Sequence, residues 1–276
     1  ETRSHILELE SRVKPEDAAC MIFTSGTTSL PKGILLSHEQ LINNSRAMVE
    51  AMHWGASDKM CITVPLFHCF GITAGVIACI TGGMDMCLIP YFRTAHVWDA
   101  IEKYECTILN GVPSMFLALI RKPQYAQRKA PKLKSGIIAG SPCTPEDFLE
   151  ICRRFPHMHL QPSYGQTETS PCIAIADWDD PNEVKAVSAG HVIGHVETRI
   201  MDLDSGALVA DGQDGEIQVR GYNVMMGYYN LPEANAKVFT EDGWLRTGDV
   251  GHFDERKELH ITGRIKEMII RAGENI

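Results

Sequence analysis

Residues 21–33 read MIFTSGTTSLPKG, and this stretch guides the interpretation of the rest of the chain. An apolar, strand-like segment leads into small hydroxylated residues and then into Pro-Lys-Gly. Hydroxyls can donate to phosphate oxygens, glycines let backbone N–H groups turn toward an anion, and the lysine adds positive charge. The spacing is not that of a Walker loop, which ends in Gly-Lys-Ser/Thr. The stretch predicts a polyphosphate-binding loop, the alternative being a polar connection between a strand and a helix. The predicted phosphate contacts are Thr24, Ser25, Gly26, Thr27, Thr28 and Lys32.

The composition is typical of a folded protein that does not bind nucleic acid. The 276 residues are 44% hydrophobic, enough for a large core, and the formal net charge is -9. No long run of lysine and arginine interrupts this negative charge, so a nucleic-acid surface is not expected. None of the nine cysteines forms a CxxC pair, which predicts free thiols and a reducing, cytoplasmic location. No apolar run reaches the ~20 residues that a membrane span needs.

Strands and helices are predicted to alternate through the first part of the chain. Predicted strands cover residues 18–23, 60–64, 84–89, 106–109, 135–139 and 157–161. Predicted helices cover residues 37–52, 71–81, 94–104, 113–121 and 144–155, with a capping box at Ser37 and Gln40 and an N-cap at Thr144. This alternation predicts parallel βαβ units, in which ligands collect beyond the carboxyl ends of the strands. The predicted binding edge consists of the loops after Phe23, Val64, Ala139 and Gln161.

The pattern changes after Pro181. Short strands are predicted at residues 196–201, 215–219, 249–253, 258–262 and 268–271, and Gly-containing turns separate some of them. The predicted fold class is therefore α/β, with parallel βαβ layers followed by a small antiparallel, β-barrel-like subdomain. The expected division places the α/β part at residues 1–180 and the β-barrel-like part at residues 181–262.

Four further segments carry residues suited to nucleotide chemistry. They are PLFHCFG at residues 65–71, SYGQTET at 163–169, GWLRTGD at 243–249 and GRIKE at 263–267. Together with the loop at residues 21–33, they resemble, in the same order, the motifs of the adenylate-forming superfamily. That superfamily includes acyl-CoA synthetases, firefly luciferase and the adenylation domains of peptide synthetases. The resemblance covers essentially the whole chain, and five motifs in one order are not expected by chance.

The resemblance implies a nucleotide site built from several segments. The loop at residues 24–32 would hold the β- and γ-phosphates, and Thr167 would donate to the α-phosphate. Tyr164 would stack on adenine, and the carboxylate of Asp249 would accept hydrogen bonds from the ribose hydroxyls. The positions implied beyond the loop are Gly140, Ser141, Pro142, Tyr164, Gly165, Gln166, Thr167, Asp249, Ile261 and Arg264.

Other positions would act on the acid, the metal ion and domain motion. His68 would orient the substrate carboxylate at the mouth of an acyl pocket. Glu168 would coordinate Mg²⁺, a cation that prefers carboxylate and water oxygens. Lys266 would be the hinge between a large and a small domain. The implied catalytic residues are therefore His68, Glu168, Lys266, Thr167 and Arg264. Each residue alone is more often a core or surface residue, and the roles rest on the resemblance.

The implied reaction is the ATP-dependent activation of a carboxylic acid, with fatty acids as the expected class. The carboxylate would attack the α-phosphorus of ATP, pyrophosphate would leave, and coenzyme A would take the acyl group from the acyl-AMP. ATP, Mg²⁺ and coenzyme A are thus implied, and the sequence looks most like bacterial medium- to long-chain acyl-CoA synthetases. Three alternatives stay open. They are an enzyme that loads a carrier protein or acts as an acyl-AMP ligase, a non-catalytic nucleotide-binding module, and a P-loop kinase or ATPase, which the loop spacing disfavours.

Two departures from the family pattern matter. Ser29 stands where the family loop commonly has glycine, and serine is strained wherever a positive φ is needed. Residues 263–276 would be the hinge and the start of a small C-terminal domain that carries a catalytic lysine. We therefore expect the chain to be a fragment of the large domain, cut at both ends and impaired in catalysis by itself.

Overall fold

The computed structural model describes residues 3–24, 31–265, 270–271 and 274–275. The α-helices in these ranges are α1 (Arg3–Glu10), α2 (His38–Ala51), α3 (Cys69–Gly71), α4 (Ala78–Gly82), α5 (Thr94–Tyr104), α6 (Pro113–Ile120), α7 (Pro145–Arg154), α8 (Asn182–Lys185) and α9 (Pro232–Val238). The strands there are β1 (Ala18–Thr24), β2 (Lys32–Ser37), β3 (Lys59–Ile62), β4 (Asp85–Leu88), β5 (Ile108–Leu109), β6 (Ser135–Ile138), β7 (His159–Gly165), β8 (Cys172–Ile175), β9 (His191–Val192), β10 (Val196–Met201), β11 (Gly215–Gly221), β12 (Gly227–Tyr228), β13 (Leu245–Phe253), β14 (Leu259–Arg264), β15 (Ile270–Arg271) and β16 (Glu274–Asn275). A π-helix (Ile72–Ile77) joins α3 directly to α4.

The central element is a seven-stranded mixed sheet. Its strand order is β4-β3-β5-β6-β7-β8-β9. The strands from β4 to β7 are parallel, whereas β8 and β9 run antiparallel to their neighbours. The predicted parallel βαβ layers are therefore confirmed. In the described ranges no helix combines the length and the apolar composition needed to cross a bilayer.

Helices cover both faces of this sheet, as the burial of successive strand residues shows. Ile108 and Ile137 pack in one apolar cluster with residues of α2, whereas the next residues, Leu109 and Ile138, pack in another with residues of α5, α6 and α7. Side chains alternate between the faces of a strand, so a sheet buried on both faces has continuous apolar strands. This arrangement leaves the carboxyl edge of the parallel strands for a ligand site.

Besides the two-stranded sheet β15-β16, two smaller antiparallel sheets flank the central sheet in the described ranges. One has the order β10-β11-β13-β14, and it confirms that antiparallel strands follow the parallel part of the chain. The other has the order β1-β2-β12, and its apolar residues pack in a third cluster together with residues of α2, α3 and β13. Through β12, a segment that lies late in the chain returns to pair with β2. This pairing brings residues from both parts of the chain to one place.

Two predictions about the binding edge are wrong. The loop after Phe23 does not follow a strand of the parallel sheet, because β1 pairs antiparallel with β2. The apolar residues of β2, of which Ile34 and Leu36 are fully buried, form a strand where the sequence suggested part of a loop. No loop follows Gln161 either, since β7 continues to Gly165 by pairing with β8.

Local signals at helix starts are confirmed. Ser37 caps α2 and accepts a hydrogen bond from the backbone N–H of Gln40 at 3.2 Å, while the Gln40 side chain accepts from the Ser37 N–H at 2.8 Å. The hydroxyl of Thr144 likewise accepts from the N–H of Asp147 at 3.2 Å, and Pro145 is the first residue of α7. These contacts lie within three residues, which is why the sequence predicts them.

Candidate functional site

The candidate site lies at the carboxyl edge of β6 and β7. These strands are parallel neighbours, with Ile138 opposite Pro162. Beyond β6, Gly140 adopts a φ of +86°, a left-handed conformation that glycine accepts without strain. Gly140, Ser141 and Pro142 are exposed there. The structure therefore brings this predicted adenine-lining segment to the same edge as Tyr164.

Gly165 ends β7 at a point where the chain doubles back closely. A Cβ atom at this position would lie 1.7 Å from the carbonyl oxygen of Pro171, a distance that no side chain tolerates. The short 3₁₀ turn that follows, Thr167–Thr169, is capped by reciprocal hydrogen bonds between Gln166 and Thr169. Glycine at residue 165 thus allows the tight turn that carries the predicted phosphate and metal residues.

Tyr164, Asp249 and Arg264 form one hydrogen-bonded network. The Tyr164 hydroxyl donates to Oδ2 of Asp249 at 2.8 Å, and Nε of Arg264 donates to Oδ1 at 2.6 Å. Asp249 is 3% exposed, so its charge depends on these partners. Burial, and secondly the Asp249 carboxylate, raises the pKa of Tyr164 well above its usual range, so the phenol stays a donor. Three of the predicted nucleotide residues therefore meet.

Strand register explains why this network forms. Asp249 lies opposite Arg264 in the β13–β14 ladder. Its backbone N–H donates to the Thr247 hydroxyl at 3.1 Å, which in turn donates to the Ile217 carbonyl at 2.7 Å. Ile261, predicted near adenine, is 40% exposed on β14 and takes no part in these hydrogen bonds.

Glu168 belongs to a second group of charged and aromatic side chains. Oε1 of Glu168 accepts a hydrogen bond from the Tyr228 hydroxyl at 2.9 Å. The ammonium nitrogen of Lys32 lies 4.5 Å from the centre of the Tyr228 ring. The backbone carbonyl of Glu168 accepts from the N–H of Met225 at 2.8 Å. The structure thus brings the predicted metal residue and the predicted phosphate lysine to the same tyrosine.

Tyr228 is a site residue that the sequence did not single out. Tyr228 is separated from Glu168 by 60 residues, so no local pattern signals the contact. Its pKa lies well above the usual range, because burial and the neighbouring Glu168 carboxylate both disfavour the phenolate.

Thr167 and His68 approach each other through Cys69. The Thr167 hydroxyl lies 3.3 Å from Sγ of Cys69, which is 2% exposed, and burial raises the pKa of that thiol to about 11. His68 is the N-cap of α3, and its Nδ1 accepts a hydrogen bond from the N–H of Phe70 at 3.3 Å. Its side chain keeps contact with solvent, yet partial burial lowers its pKa below the usual histidine range. Both observations favour the neutral imidazole, because Nδ1 must be unprotonated to accept the hydrogen bond and a lowered pKa disfavours the charged form.

The structure describes the two ends of the predicted phosphate loop. Thr24, the last residue of β1, lies opposite Lys32, the first residue of β2. The predicted contacts Ser25, Gly26, Thr27 and Thr28 lie outside the described residues, as do Ser29 and the predicted hinge residue Lys266.

Comparison with known proteins finds one matching family model and relatives that are named as acyl-CoA synthetases or ligases. A family model described as AMP-binding enzyme matches residues 2–229. YngI of Bacillus subtilis, an acyl-CoA synthetase by name, is 40% identical over 272 residues, which are 98% of this chain and 50% of that protein. Human mitochondrial medium-chain acyl-CoA ligase ACSF2 is 36% identical over 283 residues, covering 100% of this chain and 46% of the human protein.

Solved structures agree with these sequence relatives. ATP-bound MatB from Rhodopseudomonas palustris superposes with a TM-score of 0.88 at 28% identity, over 95% of this chain and 51% of MatB. MenE from Bacillus subtilis, in complex with ATP and a magnesium ion, gives a TM-score of 0.85 at 30% identity, over 96% of this chain and 54% of MenE. The chain therefore spans about half the length of the relatives that it matches.

Proposed function

This chain belongs to the AMP-binding enzyme family, the adenylate-forming superfamily, and on that premise we propose that it binds ATP and a carboxylic acid for the formation of an acyl adenylate. One observation carries the proposal. The segment from Tyr164 to Glu168 contacts three distant parts of the chain, at Asp249, Tyr228 and Cys69. Nucleoside, polyphosphate and acid would need adjoining sites, since catalysis here depends on bringing two anions together.

Asp249 would bind the ribose hydroxyls. A carboxylate suits two vicinal hydroxyl donors, and the bonds from Tyr164 and Arg264 would orient Asp249. The Tyr164 ring would stack on adenine, with the exposed segment 140–142 beside it. Gly165 and Gln166 would line the nucleotide site next to Tyr164, and Ile261 would pack near the base. These roles complete the nucleoside end of the proposed site.

Glu168 would hold a magnesium ion. The donor set fits this cation, because Glu168 is a half-buried carboxylate and Tyr228 already fixes its Oε1. When bound, the ion would supply positive charge to the phosphate oxygens. Lys32 would add a second positive charge at the polyphosphate, together with the donors Thr24, Ser25, Gly26, Thr27 and Thr28.

The substrate acid would react without a general base. A carboxylate is already ionised at neutral pH, so the site needs to orient it for attack on the α-phosphorus while pyrophosphate departs. His68 would orient the carboxylate as a neutral imidazole, in agreement with its lowered pKa. Thr167 would donate its hydroxyl to the α-phosphate, where charge develops. The thiol of coenzyme A would then attack the acyl-AMP carbonyl and release AMP.

The finer assignment is a medium- or long-chain fatty acid as substrate and coenzyme A as acceptor. The names of YngI and ACSF2 support this class. We also propose the division into residues 1–180, 181–262 and 263–276, with Lys266 as the hinge to a small domain. The nine free cysteines support a reducing compartment such as the cytoplasm.

The test is pyrophosphate release by the natural protein that contains this chain. ATP with Mg²⁺ is supplied with carboxylic acids from acetate to palmitate, with and without coenzyme A. We expect acid-dependent pyrophosphate and AMP, followed by a coenzyme A thioester. Glu168→Gln should suppress pyrophosphate release, whereas Glu241→Gln, at an exposed position, should not.

Other outcomes would reassign the protein. Acyl-AMP that never passes to coenzyme A would indicate a carrier-protein or acyl-AMP ligase. ATP binding without pyrophosphate release for any acid would indicate a non-catalytic nucleotide-binding module. Phosphate release without AMP would indicate a kinase or an ATPase, and each of these results would overturn the synthetase assignment.

A further inference from the structure

The backbone of Tyr228 is held rigidly. Asn235 on α9 uses its side-chain amide twice, accepting from the Tyr228 N–H at 2.7 Å and donating to the Tyr228 carbonyl at 3.0 Å. Tyr228 also pairs with Ile34 in the β2–β12 ladder, and the next N–H, that of Tyr229, donates to the Gly33 carbonyl at 2.8 Å. These hydrogen bonds therefore fix the backbone from which the Tyr228 side chain extends.

The ring of Tyr228 is fixed as well. The residue is 7% exposed and packs in the apolar cluster with Ile34 and Leu245. A buried phenol needs a hydrogen-bond partner for its hydroxyl. Here that partner is Oε1 of Glu168, 2.9 Å away.

Two side chains of opposite charge contact different parts of the Tyr228 ring. Its hydroxyl edge contacts the Glu168 carboxylate, and its face lies 4.5 Å from the Lys32 ammonium nitrogen. Although both charged side chains lie in the described ranges, no ion pair joins Lys32 to Glu168 there. A direct pair would neutralise a negative group suited to a cation and a positive group suited to an anion.

We propose that Tyr228 is a positioning residue that separates Lys32 from Glu168 and orients both. The hydroxyl would fix the Glu168 carboxylate for a divalent cation, and the ring face would hold Lys32 for a polyphosphate by a cation–π contact. This inference rests on the proposed function, because it assigns those two ligands to this site. It adds to that site Tyr228, which would act on the ligands through the side chains of Lys32 and Glu168.

The two contacts predict different effects for two substitutions. Tyr228→Phe removes the hydroxyl and keeps the ring face, so the divalent cation should bind about 10- to 100-fold more weakly while nucleotide affinity without metal stays unchanged. Tyr228→Leu removes the ring face as well and lets Lys32 pair with Glu168. It should also weaken metal-free ATP binding, by about 2- to 30-fold.

The experiment uses Mn²⁺ as a paramagnetic probe on the natural protein that contains this chain. Binding of Mn²⁺ in the presence of ATP is followed by electron paramagnetic resonance, and binding of metal-free ATP by calorimetry. The matched control is Tyr229→Phe, which removes a hydroxyl from a neighbouring ring that is 52% exposed. Thermal melting of each variant verifies that it is folded.

A double-mutant cycle tests whether Tyr228 acts through Glu168. If it does, Tyr228→Phe should lower Mn²⁺ affinity in the wild-type background and have no further effect in the Glu168→Gln background. An unchanged Mn²⁺ affinity in folded Tyr228→Phe would overturn the inference and leave the proposed function standing. A wild-type protein that binds neither ATP nor Mn²⁺ with ATP would overturn both.

Discussion

At the residue scale, Asp249 links parts of the site that are distant in sequence. It is nearly fully buried, and its two oxygens are occupied by Tyr164 and Arg264. A buried carboxylate persists where its partners are hydrogen-bonded to it, since an unpaired charge in such a place is strongly unfavourable. The network therefore serves both folding and the proposed recognition of ribose.

Replacing Asp249 should affect binding and stability together. Asp249→Asn places an amide donor where Tyr164 or Arg264 also donates, so we expect a loss of about 1–3 kcal/mol in the free energy of unfolding. The side chain of Arg264 is 56% exposed and can turn to water, which keeps the loss below that of a fully buried pair. AMP affinity should fall about tenfold or more, as one lost charge-assisted hydrogen bond implies.

Calorimetry for AMP and urea unfolding would check this prediction. The control is Asp242→Asn, which breaks a comparable two-bond pair with Arg199 at an exposed position and should change neither quantity appreciably. An Asp249→Asn variant with wild-type AMP affinity would contradict the assignment of Asp249 to the nucleotide.

His68 should stay neutral at pH 7. Protonation would place a hydrogen on the Nδ1 that accepts from Phe70, and partial burial also lowers the pKa. Because the folded pKa lies below the unfolded one, its stability contribution is present above about pH 6.5 and is lost as the pH falls through the folded value. Histidine NMR should give a midpoint below about 6.5, and a higher midpoint would contradict the prediction.

Two substitutions separate the capping role of His68 from its proposed role toward the acid. Asparagine is a good N-cap, so His68→Asn should retain stability, whereas His68→Ala should lose about 1 kcal/mol. Both should raise KM for the acid if the imidazole orients it. A normal KM in His68→Asn would leave His68 as a helix cap alone.

At the element scale, the π-helix departs from regular α-helical hydrogen bonding, and buried side chains donate to two of its carbonyls. The Ser45 hydroxyl donates to the Thr73 carbonyl at 2.7 Å, and Nδ2 of Asn110 donates to the Ala74 carbonyl at 2.9 Å. Asn110 also accepts from the N–H of Ile137 on β6 at 2.9 Å. One amide thus ties the π-helix to the central sheet, close to the helix start at His68.

Loss of the Asn110 amide should be strongly destabilising. Asn110→Ala leaves a buried carbonyl and a buried N–H without partners, which should lower the free energy of unfolding by about 2–4 kcal/mol. Asn43→Ala, a half-buried position on α2, is the control and should have a small effect. Urea unfolding monitored by circular dichroism would measure both, and equal stabilities would show that the amide contributes little.

At the scale of the whole molecule, the central sheet and the two antiparallel sheets meet at residues 164–168. Two tyrosine hydroxyls join them, that of Tyr164 to Asp249 and that of Tyr228 to Glu168. Tyr164 and Tyr228 have raised pKa values through burial and a nearby carboxylate, and burial raises the pKa of Tyr222 to about 12. Tyr164 and Tyr228 therefore report on whether the sheets stay assembled, and Tyr222, whose hydroxyl donates to the Asn43 carbonyl, reports on the packing against α2.

Alkaline titration should reveal these tyrosines. A folded pKa above the unfolded value of about 10 means that the stability contribution is present below pH 10 and is lost as the pH rises through the folded value. Absorbance at 295 nm should show Tyr164, Tyr222 and Tyr228 ionising together with unfolding. Reversible ionisation of these three near pH 10 in the folded protein would contradict the structure, and Tyr222→Phe should reduce the late group by one.

The sequence alone determined what depends on neighbours along the chain. The helix at Thr94–Tyr104 and the strand at Val196–Met201 have the bounds that the sequence predicts, and the caps at Ser37 and Thr144 form as expected. Hydrophobic periodicity and capping act over three or four residues, so they can be read without a structure. The order of the five motifs also indicated the family.

The tertiary structure decided what depends on partners far away in sequence. β2, β8 and β12 form because they pair with other strands, and β7 extends to Gly165 for the same reason. Tyr228 reaches Glu168 across 60 residues, and Tyr164 reaches Asp249 across 85. Strand pairing and side-chain contacts take their free energy from burial and hydrogen bonds between distant segments, and a local pattern contains no information about which segments will meet.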